Sequence, residues 1–386
     1  MASICVTRQT GAGPRVLLLD AYDAPSHRYW RQGLVQHLTE FSFTCLTLPP
    51  RHFNWRIRGN PISWLHAPEL SAQYEVILAT STVDLATLRG LVPSLARTPC
   101  IYYSHENQFA YPPSPHLENS PHQTRPLEPL MVNLYGALAA DVLAFNSQWN
   151  LSSFLRGVED LLKKMPDQVP AGIVEQLAAK ACVLPVPLLP AEHSLKKPPP
   201  FNAENPLEIV WNHRWEFDKG PDLLLAIVEA LPKGLPLRWH ILGQQFRQQP
   251  APFAAIKQRL EGQLGSWGFC EDKQVYQAIL AQSHLVLSTA WHDFQGLAVL
   301  EAASLGAVPL VPQGLAYPEW FGAEYTYGTR EAFTQRDVKA LALSAAEILT
   351  AYAQGTRALA PAHTKQWQWP HLKRRYVALF GGNEVG

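Results

Sequence analysis

Cysteine is sparse in this chain: five in 386 residues, at Cys5, Cys45, Cys100, Cys182 and Cys270, scattered and never in a C-x-x-C pair. That pattern excludes a disulfide framework and a cysteine-built zinc knot, and it fits a reducing cytosol. Net charge is missing too, because 32 Lys+Arg meet 32 Asp+Glu. The global basicity of a protein that coats nucleic acid is therefore absent, and only local clusters can argue for such a partner. No apolar run approaches the roughly 18 residues of a membrane span. The opening MASICVTRQTGAGP has neither the basic nor the apolar region of a signal peptide. A soluble, cytoplasmic protein is expected. No D-x-D triplet occurs, so no divalent metal is assigned and no cofactor is expected.

What the chain does have is length and alternation. At 386 residues it exceeds the usual limit of one hydrophobic core, and two domains follow. Short apolar runs (PRVLLLDAY, FTCLTLPP, YEVILAT, PCIYYSH, ADVLAFNS) predict strands, and HRYWRQGLVQHLTE between the first two predicts an amphipathic helix. A second set begins at LEIVWNH and continues through LRWHILG, QVYQ, HLVLSTA and VPLVPQ as strands. Its helices are PDLLLAIVEALP, FAAIKQRLEGQLGSWG, QAILAQS and GLAVLEAASLG. Strands alternating with helices imply parallel sheets covered on both faces. The expected fold class is α/β, with two Rossmann-like doubly wound domains facing across a cleft. The first spans 1–190, a proline-rich linker 191–206, and the second domain 207–365. The C-terminal segment 366–386, with aromatic residues at helical spacing, is expected to fold back onto the first domain.

In such sheets ligands bind beyond the carboxyl ends of the strands. The run Tyr102-Tyr103-Ser104-His105-Glu106-Asn107-Gln108 places a polar cluster at one such end, either as a binding rim or as an ordinary hydrogen-bonded loop. In the second domain Arg214 and Lys219 follow a strand, and Pro221-Asp222 then opens a helix. Two cations at a helix entrance suit a diphosphate. Further on, Asp293-Phe294-Gln295-Gly296 leads into a helix that begins at Leu297 and carries Glu301. Gly296 lets a ligand approach the backbone, and the first amides of that helix can take a phosphate. An acid within the apolar LAVLEAASL needs a partner if buried, and a ribose diol would serve.

The pair R-x4-K before a helix, followed about 80 residues on by an acid-x7-Glu element running into E-A-x-x-x-G, resembles the retaining glycosyltransferases of family 4, which have the GT-B fold. The resemblance implies that Arg214 and Lys219 bind the donor diphosphate, together with Gly296 and Leu297 at the helix start. It implies that Glu301 binds the ribose and that Asp293, where the family usually has Glu, faces the donor sugar. In the first domain LLLDAYDAPSHRYWRQGL, LTLPPRHFNWRIRGNPISW, YYSHENQFAYP and FNSQWNLSSFL, in that order, look like the N-terminal half of the tRNA-queuosine α-mannosyltransferase family. That resemblance implies transfer of mannose from GDP-mannose to queuosine in tRNA(Asp). It places His105 and Glu106, with Asp293, at the transferred hexose, and Ser26 and His27 on a loop near the donor.

For the acceptor, RHFNWRIRG interleaves Arg51, Arg56 and Arg58 with Phe53 and Trp55. The residues suit phosphates and an unpaired base, or else a strand edge with solvated arginines. Two alternatives stay open: the same donor chemistry directed at a lipid or glycan, and a non-catalytic nucleotide- or RNA-binding protein of the same fold.

Overall fold

The computed structural model describes residues 4–11, 13–111, 127–189, 198–202, 204–246 and 249–381. Residues 190–197 and 203 of the proline-rich stretch, and Pro112 at the end of the H-E-N-Q-x-x-Y-P signature, lie outside the described residues. The chain divides into two compact units: Met1–Pro187 together with Trp369–Gly386, and Leu188–Gln368.

The first unit is built on strands β1 (Cys5–Gln9), β2 (Arg15–Asp20), β3 (Ser42–Thr47), β4 (Val76–Thr80), β5 (Cys100–Ser104), β6 (Val142–Phe145) and β7 (Ala181–Val183). They lie in the order β1-β3-β2-β4-β5-β6-β7. All pairs are parallel except β1 against β3. β4 and β5 are buried at every residue, which is what uninterrupted apolar runs covered on both faces require. β1, absent from the expected strands, is an exposed polar edge whose CVTRQ carries no apolar signal. From β2 the sheet grows one way to β3 and the other way to β4, so the crevice between the carboxyl ends of β2 and β4 is the switch point.

The second unit contains β8 (Leu207–Asn212), β9 (Leu237–Leu242), β10 (Leu264–Gly268), β11 (Leu285–Leu287), β12 (Val308–Pro312) and β13 (Thr326–Tyr327). Their order is β10-β9-β8-β11-β12-β13, wholly parallel, with the switch point between β8 and β11.

Three local expectations need correction. QVYQ is no strand: Asp272 accepts from the amides of Gln274 and Val275 and caps a helix over Lys273–Gln282, so the strand and helix expected there are one helix. FAAIKQRLEGQLGSWG is not one helix: it stops at Arg259, Gly262 turns at φ 83°, and Leu264–Gly268 pairs with β9. RHFNWRIRG is not a strand edge, because Phe53–Trp64 is helical and buries Arg56, Asn60 and Trp64 on one face at i, i+4, i+8.

The helix Trp369–Leu379 belongs to the first unit. Tyr376 accepts from the Trp30 indole at 3.0 Å, lies 3.2 Å from the Tyr103 hydroxyl, and donates to the Pro185 carbonyl at 2.9 Å. Phe380 packs on Phe41 and Phe43. A Cβ on Gly33 would fall 2.9 Å from the Trp369 ring, so this close approach needs glycine.

Candidate functional site

At the second unit's switch point β8 ends in Asn212 and runs on into His213 and Arg214, then a 3-10 turn over Phe217–Lys219. Gly220, at φ 65°, opens the helix Pro221–Ala230. A Cβ there would lie 2.0 Å from the Thr289 carbonyl, so only glycine lets this loop pass beside the end of β11. The two expected cations differ. Lys219 is 8% exposed, and its Nζ donates to the His292 carbonyl at 2.7 Å with Asp218 at 3.3 Å and Asp293 at 3.8 Å. Arg214 is exposed, with Glu216 at 3.0 Å.

Asp293 is the hub of this crevice. Its carboxylate accepts from the Gly296 amide at 3.1 Å and the Tyr317 hydroxyl at 3.2 Å. The Ser288 hydroxyl lies 2.7 Å from that of Tyr317, and His213 Nε2 lies 3.0 Å from Ser288. With Tyr317 donating to Asp293, Ser288 donates to Tyr317 and His213 to Ser288, which fixes the Nε2–H tautomer. Burial pushes His213 down to about 4, so the ring is neutral near pH 7. Burial acts to raise the Asp293 carboxyl, but Lys219, the two histidines and the Gly296 amide outweigh it and hold it below the usual range. Gly296, at φ 75°, opens the helix Leu297–Ser304 with no side-chain cap. A Cβ on it would meet the Tyr317 ring at 2.6 Å. One turn into that helix Glu301 accepts from the Tyr276 hydroxyl at 3.3 Å, and Asn212 donates to Tyr276 at 3.0 Å. Burial raises Glu301 above the ordinary carboxylate value.

The first unit's switch point has its own acid-histidine constellation. Asp20, at the end of β2, takes Thr80 Oγ1 from the end of β4 at 3.2 Å, bridging the crevice. Both its oxygens lie within 3.2 Å of His27 Nδ1, on the helix α1 (Pro25–His37). The His27 ring stacks on His105 at 4.2 Å and 26°. Burial acts to lower His27, but Asp20, with Glu106 and Asp23 beyond it, raises it. His105 is held well below its ordinary value, first by burial and then by the charge of His27. Its Nε2 is buried with no hydrogen-bond partner among the described residues. Ser26 lies exposed beside His27 and Glu106 is half-buried.

Asn107 and Gln108 of the H-E-N-Q loop are scaffolding. Asn107 donates to Asn150 Oδ1 at 2.8 Å and Ser153 Oγ at 3.0 Å, and the Gln108 amide is bound by Asn133. Asn146 donates to the His105 carbonyl at 2.8 Å, and Asn150 to that of Ser104 at 2.9 Å. The F-N-S-x-x-N segment thus exists to fix the backbone that carries His105.

On the helix α2 (Phe53–Trp64) and the turn that leads into it the acceptor candidates part company. Trp55 is 52% exposed, Arg51 is exposed, and Arg58 is tied to Asp84 and Thr87. Arg56 is 5% exposed. The residues that sequence reasoning missed are Asp20, Thr80, His213, Tyr276, Ser288 and Tyr317. Each joins its site through a contact distant in sequence, and only the strand ends hinted at Asp20 and Ser288.

Residues 194–359 match the family described as glycosyl transferases group 1, and residues 15–188 match the N-terminal region of tRNA-queuosine alpha-mannosyltransferase. Among solved structures, HepE of Anabaena in complex with UDP and glucose aligns at a TM-score of 0.58 and 13% identity, covering 95% of this chain and 99% of that one. A UDP-forming alpha,alpha-trehalose-phosphate synthase from Burkholderia xenovorans, in complex with glucose-6-phosphate, aligns at 0.62 and 12% identity, covering 95% and 100%. With two parallel-sheet α/β units and this family match, the chain is a glycosyltransferase of the GT-B fold class. A Drosophila melanogaster protein described as tRNA-queuosine alpha-mannosyltransferase is 31% identical over 332 residues, 84% of this chain and 86% of that protein. The chain belongs to the tRNA-queuosine alpha-mannosyltransferase family. Among the described residues no helix is long and apolar enough to cross a membrane.

Proposed function

We propose that this protein is a cytoplasmic, metal-independent retaining hexosyltransferase that moves mannose from GDP-mannose to queuosine in the anticodon of tRNA(Asp). The observation that carries the donor half is the convergence at one switch point of Lys219, the turn bearing Arg214, and the uncapped helix start at Gly296. Family membership supports the acceptor half.

In this reading Arg214, Lys219 and the Leu297 amide hold the diphosphate, Gly296 lets it approach the backbone while its own amide serves Asp293, and Glu301 accepts from the ribose hydroxyls. Asp293, His105 and Glu106 contact the hexose. His105 suits a sugar hydroxyl because its ring is neutral and its Nε2 has no partner among the described residues. The bond from the anomeric carbon to the diphosphate breaks, and its electron pair leaves on the phosphate, where the two cations and the helix amides offset the new charge. The acceptor hydroxyl adds on the same face and its proton passes to the departing phosphate, so no side-chain nucleophile is needed. Ser26 and His27 line the donor loop. Arg51, Trp55, Arg56 and Arg58 lie on the acceptor side, Arg58 acting through its tie to Asp84.

The test is transfer of labelled mannose from GDP-mannose to tRNA(Asp) with and without queuosine. Label confined to the queuosine-bearing tRNA is expected. Label in neither tRNA but in a lipid extract would overturn the acceptor and leave the donor chemistry standing.

A further inference from the structure

Arg56 is buried without a counter-charge. In the same unit Arg8, Arg28, Arg31, Arg58 and Arg89 each reach a carboxylate. Arg56, at 5% the least exposed lysine or arginine among the described residues, reaches none there, and its Nε is buried with no hydrogen-bond partner. Burial and the nearby Arg51 cation both act against its charge. A buried cation lacking a counter-ion destabilises a fold, and its persistence points to an anion that meets it in the working complex.

Three further observations say what kind. α2 is entered through His52 in the left-handed region at φ 54°, ψ 55°, a conformation that costs energy outside glycine and asparagine. Asn60, one turn beyond Arg56, donates to the Thr82 carbonyl and accepts from the Asp84 amide, and Phe53 packs edge-on against Tyr22. These contacts pin α2 beside the carboxyl ends of β2 and β4, at the first unit's switch point. Trp55 lies over Gly59, where a Cβ would fall 2.6 Å from the indole, so an exposed flat ring directly precedes Arg56 in the chain, on the helix that Arg51 leads into. Arg58 is already engaged by Asp84.

We propose that Arg56, with Arg51, forms an anion site for a phosphodiester of the acceptor RNA, and that Trp55 stacks the adjoining unpaired base. The identity of the anion rests on the reading of the acceptor as a tRNA. The diphosphate of a nucleotide sugar has the same chemistry, and the experiment separates the two sources.

Arg56→Met keeps the bulk and removes the charge. The melting temperature of the ligand-free variant should rise, because an uncompensated buried cation is gone. Its affinity for queuosine-bearing tRNA(Asp) should fall roughly tenfold to a hundredfold, and the logarithmic salt slope should shrink by about 0.7. Its affinity for GDP should not change. Trp55→Ala, at an exposed position, should weaken tRNA binding by roughly fivefold to a hundredfold with the salt slope intact. A lower melting temperature with tRNA affinity and salt slope unchanged would make Arg56 a structural residue. Loss of GDP affinity with tRNA binding intact would make the anion a nucleotide diphosphate. Wild-type protein that neither binds nor labels tRNA would remove the premise, whatever stands at position 56; unaltered tRNA affinity in Trp55→Ala would remove the stacking.

Discussion

The two switch points solve the same problem with opposite electrostatics. In the second unit a buried lysine is balanced by two carboxylates, and the neighbouring histidines are neutral, His213 and His292 both pushed down to about 4 by burial. In the first unit a buried carboxylate meets a histidine whose proton is held on, and burial, reinforced by that charge, keeps the stacked His105 neutral. A crevice built around a fixed cation suits an anionic group that stays charged throughout. One built around an acid-histidine pair and a neutral ring suits hydroxyls, which need donors and acceptors of defined direction.

The sharpest way to break this comparison is Lys219→Met. It removes a cation from the proposed diphosphate site and strands the two carboxylates, Asp218 and Asp293, that Lys219 balances. GDP affinity by calorimetry should fall by about 1.5–3 kcal/mol or more, and transfer with it. Unchanged affinity would move the diphosphate elsewhere. Next in size is His105→Ala, which should depress mannose transfer by about tenfold or more while leaving GDP affinity close to wild type, since no diphosphate contact is assigned to the first unit. Equal losses in both would make His105 a support of the fold.

pH sharpens the contrast further. His213 and His292 have depressed values, so the unfolded chain binds more protons between about 4 and 6.5, and stability in the second unit should be lost as pH falls through that range. His27 has a raised value, so its contribution is fully present below 6.5 and is lost as pH rises through the folded value. His105 offsets part of this on the acid side. Acid should therefore destabilise the second unit first, read as separate calorimetric transitions. In Asp20→Asn the first unit should turn acid-labile as well; an unchanged acid profile would deny the pairing its role. Tyr317→Phe is smaller still: it deletes one hydrogen bond to Asp293 and interrupts the Ser288 and His213 chain, for about 1 kcal/mol in kcat/KM. At the bottom of the scale, EDTA should leave transfer unchanged, and its abolition would introduce a metal into the mechanism.

Much of the fold could be read from the sequence because both sheets are covered on two faces, so VILAT and CIYYS are buried at each step and stay apolar or aromatic up to their last residue, which admits one interpretation. The misread segments are those where a local pattern lost to a cap, a glycine turn or the burial of another face. QVYQ reads as β-branched and aromatic until Asp272 is seen to cap it, and RHFNWRIR alternates at period two while burying at period four. Lys219, Asp293 and Gly296 stand out because they lie on strand-to-helix turns, and Glu301 because it is an acid within an apolar helix one turn further on. Tyr317 and Ser288, 29 residues apart, and Tyr276 and Glu301, 25 apart, meet only after folding and leave no local trace.

The helix Trp369–Leu379 carries a consequence for how the chain is made. Translation delivers the first 187 residues early, yet Trp30, Gly33, Phe41 and Phe43 receive their covering from a segment that leaves the ribosome after the whole second unit. The unit begun first is thus completed last. During that interval its aromatic patch is open to chaperones or to other nascent chains, and a stop codon near residue 368 would strip the beginning of the protein of its lid while leaving the second unit whole.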